Sequence, residues 1–200
     1  MVVNHFIIGV DEVGRGPLAG PVAVGAVLFT PDFDMSLLEG VRDSKLISEK
    51  KREEWFVRAR EWELVGTLSV AVEFAPAQEI DERGISKVIA DLVARAVRKL
   101  APDPVGNVHV LLDGSLHAPN GYSQETIIHG DSLRPEISLA SIVAKVLRDR
   151  FMVRVATQFP EYGFEQHKGY GTKAHLEAIA GNGLSELHRR SFCKNYTQVS

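Results

Sequence analysis

The stretch Phe6-Ile7-Ile8-Gly9-Val10-Asp11-Glu12-Val13-Gly14-Arg15-Gly16-Pro17-Leu18-Ala19-Gly20-Pro21-Val22 decides how the rest of the chain is read. An apolar run of strand type carries two adjacent carboxylates, Asp11 and Glu12, to its end. Neighbours on a regular strand face opposite sides of a sheet, so these two acids share a pocket only if the strand ends between or just after them. Gly14 and Gly16 make that turn available, so the loop and the acids explain each other. The loop also contains glycine-x-glycine, the start of a dinucleotide fingerprint. Position 19 is alanine where the third glycine is needed, a strand-like segment follows instead of a helix, and two acids would repel a pyrophosphate. What remains is a loop whose bare amides, beside the Arg15 guanidinium, suit a hydroxyl or phosphate oxygen.

Two further segments share the pattern of apolar run, acid, then glycine or turn: Leu112-Asp113-Gly114 and Gly130-Asp131-Ser132. One such acid alone is an ordinary turn former; the set, with an adjacent pair ahead of Gly-Arg-Gly, is not. Strands of one sheet can gather these ends. Each pair of carboxylates would then repel by ~3 kcal/mol at about 5 Å and an effective dielectric near 20. Such a site persists only with protons or cations, and oxygen ligands without thiolates fit Mg²⁺ or Mn²⁺.

The 200 residues suffice for one domain, 1–200, with a sizeable core. A 44% hydrophobic and 24% charged composition is that of a globular chain. The apolar runs fall short of the ~18 residues of a membrane span. No basic region precedes the first apolar stretch, and the single cysteine, Cys193, excludes an internal disulfide or a thiolate cluster, so a cytoplasmic location is expected. The net charge of −3 predicts no global attraction to nucleic acid, although an acidic site and a basic rim cancel in such a sum.

The patterning predicts strands over 6–12, 20–29, 64–74 and 108–113, and another around 126–129. Ser48 is placed to cap a helix over 49–61. Ile85, Val88, Ile89, Leu92, Ala96 and Leu100 trace a helix that Pro102 stops, and Ile137, Ala140, Ser141, Ala144, Leu147 and Phe151 trace one face of a longer one. A loop over 160–171 and one or two short helices close the chain. The fold class is α/β, with a central mixed sheet flanked by helices.

At this point the sequence resembles the type 2 ribonucleases H, specifically bacterial ribonuclease HII. The resemblance rests on the stretch from Asp11 to Val22, then Asp43-Ser44-Lys45, Leu112-Asp113-Gly114, Gly130-Asp131, Ala140-Ser141-Ile142-Val143-Ala144-Lys145 with Arg148-Asp149, and His167-Lys168-Gly169-Tyr170-Gly171-Thr172. It implies a ribonuclease H-like fold whose helical region from about 160 to 200 binds substrate. It implies two-ion hydrolysis, with Mg²⁺ or Mn²⁺, of RNA in RNA/DNA hybrids and of single ribonucleotides in duplex DNA. The cut falls on the 5' side of the ribonucleotide, leaving 5'-phosphate and 3'-hydroxyl ends. Asp11, Glu12, Asp113 and Asp131 stand at the family's catalytic and metal-binding carboxylates. By the same analogy the Gly14-Arg15-Gly16 amides sense the 2'-hydroxyl and Tyr170 packs on the adjoining deoxyribose.

Lys45, Lys145, Arg148 and Lys168 are candidate phosphate contacts on a basic rim, with Lys145 and Asp149 also spaced to pair along a helix. Ser141 reads as helix packing, and His167, His175 and His188 match no zinc motif. His188-Arg189-Arg190-Ser191-Phe192 resembles another family segment that packs or touches nucleic acid. Trp55 and Trp62, seven apart, read as packing. No membrane and no obligatory protein partner is expected, and no sliding-clamp peptide is found. Two rivals remain: ribonuclease HIII, which shares the fold and normally adds an N-terminal substrate-binding domain, and a non-catalytic nucleic-acid-binding module, against which the four retained acids argue.

Overall fold

The computed structural model describes residues 5–41, 44–103 and 107–196. β1 (Phe6–Val13) and β2 (Val22–Phe29) form the antiparallel pair that the opening stretch implies, with the glycine loop between them. A 3₁₀ turn at Met35–Leu38 leads to α1 (Glu49–Leu64), whose cap Ser48 accepts from the Lys51 amide. β3 (Leu68–Ala75) follows, then α2 (Ala77–Arg83), α3 (Ile85–Leu100), β4 (Val108–Asp113) and β5 (Ser123–Ile127). After a one-turn helix α4 (Gly130–Leu133) comes the long α5 (Pro135–Ala156). A 3₁₀ turn at Pro160–Tyr162, α6 (Phe164–His167) and α7 (Lys173–Asn182) complete the order.

The sheet order is β3-β2-β1-β4-β5, antiparallel through β1, β2 and β3 and parallel from β1 to β4 to β5. It is therefore the mixed sheet that the strand pattern predicts. The element bounds differ most in two places. Leu64 and Val65 read as the start of a strand, but α1 runs on to Leu64 and the Val65 amide still bonds the Glu61 carbonyl. Both side chains are exposed there, so no burial draws them into the sheet. The last strand ends at Ile127 rather than near His129, and Asp131 lies in α4, not at a strand end.

Helices cover both faces. Val88, Leu92, Val93 and Ala96 of α3 pack on Ile8, Val10, Val24 and Val110. On the other face α5 lies directly on β1 and β2. A Cβ at Gly9 would sit 2.2 Å from the Glu136 carbonyl oxygen, and one at Gly25 would sit 2.3 Å from that of Ala140. Glycine at these two positions is what lets the helix backbone touch the sheet. Consecutive α5 residues from Glu136 to Ala144 are buried, since the sheet lies on one side, α1 on another, and α4 and the C-terminal segment on the rest. Trp55 and Trp62 join Phe29 and Phe33 in the α1–α5 core, in keeping with the packing role expected of them, and Cys193 is buried with Leu18, Met152 and Phe164.

A candidate metal centre and glycine loop

β1 and β4 are parallel neighbours, and the pairing of Val10 with Leu112 brings the next residues, Asp11 and Asp113, side by side at the strand ends. Carboxylate oxygens of Asp11, Glu12 and Asp113 all lie within 4.8 Å of one another. β1 ends at Val13, just beyond the acidic pair, which is the condition for both to serve one pocket. The pleat turns Glu12 toward the opposite face from Asp11, but β4 stops level with them, so its longer side chain can swing back.

This corner is short of positive charge. Asp11 is almost wholly buried, and burial, above all, pushes its carboxyl well above the usual range. A hydrogen bond from Ser141 opposes that push, while Glu12, Asp113 and Asp131 add to it. Glu12 is also raised by burial, against the pull of Arg15, whose Nη1 lies 3.3 Å from Oε1. Three convergent oxygen donors with one edge guanidinium between them match the ligand preferences of a hard divalent cation.

Asp131 reaches the site differently. Its backbone amide donates to Asp113 Oδ1 at 3.3 Å, and its own Oδ2 lies 3.4 Å from Lys45 Nζ. It is thus adjacent to the three acids but outside the tightest cluster. Its position rests on left-handed backbone at His129 and on the Ser138 hydroxyl, which donates to the Asp131 carbonyl at 2.5 Å. Lys45 is brought to the acids by a loop that Arg52 pins, donating to the Ser44 and Ile47 carbonyls. Asp43 lies outside the described residues.

Sequence reasoning missed the support under Asp11. The Ser44 and Ser141 hydroxyls are 2.9 Å apart in a fully buried contact, and Ser141 bonds Asp11. Ser141 is thus more than helix packing, although it is no nucleophile. Only the crossing of the loop at 44 over α5 reveals this.

The glycine loop is gripped from below. Gly14 has φ +85°, and a Cβ there would fall 2.2 Å from Arg148 Nε. Arg148 is fully buried and donates from Nε to the Pro21 carbonyl at 2.9 Å, and from Nη2 to those of Ala19 at 3.4 Å and Lys168 at 3.1 Å. The expectation of a rim cation at Arg148 is therefore corrected: its helix turn points inward, and its Nε and Nη2 serve the protein's own carbonyls, while the buried Nη1 has no hydrogen-bond partner among the described residues. Arg189, also fully buried, donates from Nη2 to the Gly14 carbonyl at 2.7 Å, from Nη1 to that of Arg15 at 3.0 Å and from Nε to that of Gly20 at 3.0 Å.

Tyr170 stands exposed beside this loop, with Lys145 Nζ 5.7 Å and Arg148 Cζ 5.9 Å from its ring centre. Lys145 pairs with Asp149 at 2.8 Å, a mostly covered contact rather than the surface pair that the spacing alone implies. Burial, chiefly, lowers Lys145 from the usual lysine range, and Asp149 holds it up. Lys168, in left-handed backbone, turns its ammonium to the Glu165 carbonyl.

His175 and His188 form a hydrogen-bonded chain, and His167 stacks on His175 while bonding the Tyr162 carbonyl. The Tyr170 carbonyl can only accept, so His175 Nδ1 donates to it at 2.9 Å. His175 Nε2 then accepts from His188 Nε2 at 3.1 Å, and His188 Nδ1 accepts from the Ser185 amide at 3.0 Å. Burial first, then His175, drives His188 down to about 4.

Comparisons with known proteins point to one family. The family described as Ribonuclease HII matches residues 8–195. A ribonuclease HII from Nitrosomonas europaea is 47% identical over 194 residues, covering 94% of this chain and 83% of the relative. One from Coxiella burnetii is 43% identical over 189 residues, covering 94% and 89%. Among solved structures, the ribonuclease H2 of Pyrococcus horikoshii superposes with a TM-score of 0.75 at 25% identity, over 96% of this chain and 97% of that one.

Proposed function

Since the chain belongs to the ribonuclease HII family, and is thus a ribonuclease H hydrolase acting on RNA in hybrids, we propose that Asp11, Glu12, Asp113 and Asp131 form its catalytic centre. We read its substrates as RNA/DNA hybrids and duplex DNA carrying single ribonucleotides, cut on the 5' side of the ribonucleotide. The observation that carries this is the convergence of Asp11, Glu12 and Asp113 from two parallel strand ends, with the Asp131 amide on Asp113.

The donor set fits two divalent ions, Mg²⁺ or Mn²⁺, which when bound would supply an activated water and charge stabilisation at the departing 3' oxygen. The chain's own residues do the rest. Asp11, central and buried, would hold the ions together with Glu12 and Asp113, and the Ser141 hydroxyl bonds its carboxylate. Asp131 holds the outer side of the site with Lys45, which is placed for a phosphate once Asp131 is otherwise engaged. The Arg15 and Gly16 amides meet the 2'-hydroxyl, and a site built to bond that hydroxyl rejects its absence because buried partners would go unpaired. Tyr170 offers a flat face to the next sugar, which lies closest when that sugar is a deoxyribose. Lys145, held beneath the ring, and Lys168 border the path of the backbone.

The test is cleavage of a duplex containing one ribonucleotide, with and without divalent ion, mapping the nick. Asp113→Asn should abolish cleavage while retaining hybrid binding. Cleavage without divalent ion, or full activity of Asp113→Asn, would overturn the assignment.

A further inference from the structure

The peptide bonds of the described residues are trans, and a trans peptide points its C=O and N–H in opposite directions. The Gly14 and Arg15 carbonyls both point at the Arg189 guanidinium. The amides that share those peptides, Arg15 N–H and Gly16 N–H, therefore point away from it. Their side of the loop is open, since a Cβ built on Gly16 meets nothing within 4 Å. Neither amide donates to another backbone group among the described residues.

We infer that Arg189 is the positioning residue of the glycine loop: by gathering the carbonyls of Gly14, Arg15 and Gly20 on one planar fork, it aims the Arg15 and Gly16 amides at the substrate sugar and so sets the preference for ribose. This rests on the reading of the loop as the 2'-hydroxyl sensor. Arg189 touches no substrate; it is wholly enclosed. Its three bonds tie the start of the loop to its end, at a spacing fixed by the guanidinium rather than by the flexible glycines. Its own amide also donates to the Leu18 carbonyl at 2.8 Å, in the middle of the loop. A lysine could not do this, because a point charge on a flexible stem has no fixed fork.

A stabilising role alone explains the arrangement poorly. A buried guanidinium is costly without a carboxylate, and Arg189 has no ion pair among the described residues. Burial, and then repulsion from Arg148, lowers it only to about 9, so it keeps all its protons at neutral pH. Its place along the chain is set from outside the site. Asp81 on α2 accepts from the Arg190 amide at 2.8 Å, from the Ser191 amide at 2.9 Å and from the Ser191 hydroxyl.

The experiment measures KM and kcat for a duplex with one ribonucleotide, and Ki for the same duplex made wholly of DNA. In Arg189→Lys the ratio of Ki to KM should fall roughly tenfold, the size of one misdirected hydrogen bond. The change should lie in KM, with Ki unmoved, because phosphate contacts do not feel the direction of the amides. A loss of folded protein would instead scale kcat alone, as in a core variant remote from the loop, Val97→Ala, whose ratio should equal the wild type's. Asp81→Ala, which loosens the segment without removing the guanidinium, should lower the ratio less. An unchanged ratio in whichever of Arg189→Lys and Asp81→Ala folds overturns the assignment to Arg189. A wild-type ratio near one instead sinks the sensor reading, and this inference with it.

Discussion

Replacing Asp11 by asparagine should stabilise the cation-free protein while destroying its activity. Oxygens of Asp11, Glu12 and Asp113 lie within 4.8 Å of one another, and at an effective dielectric near 20 each fully charged pair at that distance repels by about 3.5 kcal/mol. Only part of this is released, because Arg15 already shields Glu12 and burial already raises the Asp11 carboxyl. Asparagine keeps the shape, and its amide oxygen can still accept from the Glu12 amide, as Asp11 Oδ1 does at 2.8 Å. A net gain of roughly 2 kcal/mol is expected, or about 4–8 °C in Tm for a chain of this size. The pH dependence gives the sign. A carboxyl raised by burial contributes its full stability below the ordinary Asp range and loses it as pH rises through its folded value. The advantage of Asp11→Asn in Tm should therefore be larger at pH 8 than at pH 5. Saturating Mg²⁺ or Mn²⁺ should reverse the order, since binding to the folded state alone adds stability and the variant binds less well. Thermal unfolding followed by circular dichroism, in EDTA and in each cation, reads all of this. A variant less stable than wild type in EDTA at pH 8, or equal gains from the cation in both, would refute the electrostatic account.

Gly25→Ala should cost about 3 kcal/mol, because its Cβ would meet the Ala140 carbonyl at 2.3 Å with rigid backbone on both sides; a loss below about 1 kcal/mol in urea unfolding would show that α5 can lift from the sheet. His188, lowered to about 4, contributes stability that is complete above about 6.5 and is lost as pH falls toward 4, in total about 3 kcal/mol. Urea midpoints across that window should slope in wild type and flatten in His188→Gln; equal slopes would remove His188 from the acid response. Hybrid binding should weaken steeply with salt, and Lys45→Ala should reduce the log–log slope by about one contact; an unaltered slope would take Lys45 off the phosphate path.

The local chemistry of the opening stretch was fully legible in sequence. Two acids at the end of an apolar strand, followed by glycines that make a turn available, state both a strand end and a charge problem. Helical spacing likewise placed α3, because one face of that helix meets water and the pattern records it, and the apolar runs placed the strands of the mixed sheet. The pattern failed where no such contrast exists. α5 is buried on almost every side, so its spacing named one face and concealed that Arg148 turns inward. Leu64 and Val65 are apolar yet exposed, so they mimicked a strand start at the end of α1.

What the sequence determined by itself is the inventory: four carboxylates, a bare loop and the strands that carry them. What only the tertiary structure decided is who stands beneath them. Ser141 under Asp11, Asp131 reaching Asp113 through its amide, and Arg189 under residues 175 positions earlier are contacts between distant segments. A buried polar side chain takes its role from the partners that folding brings to it, and that information is not written in its neighbours along the chain.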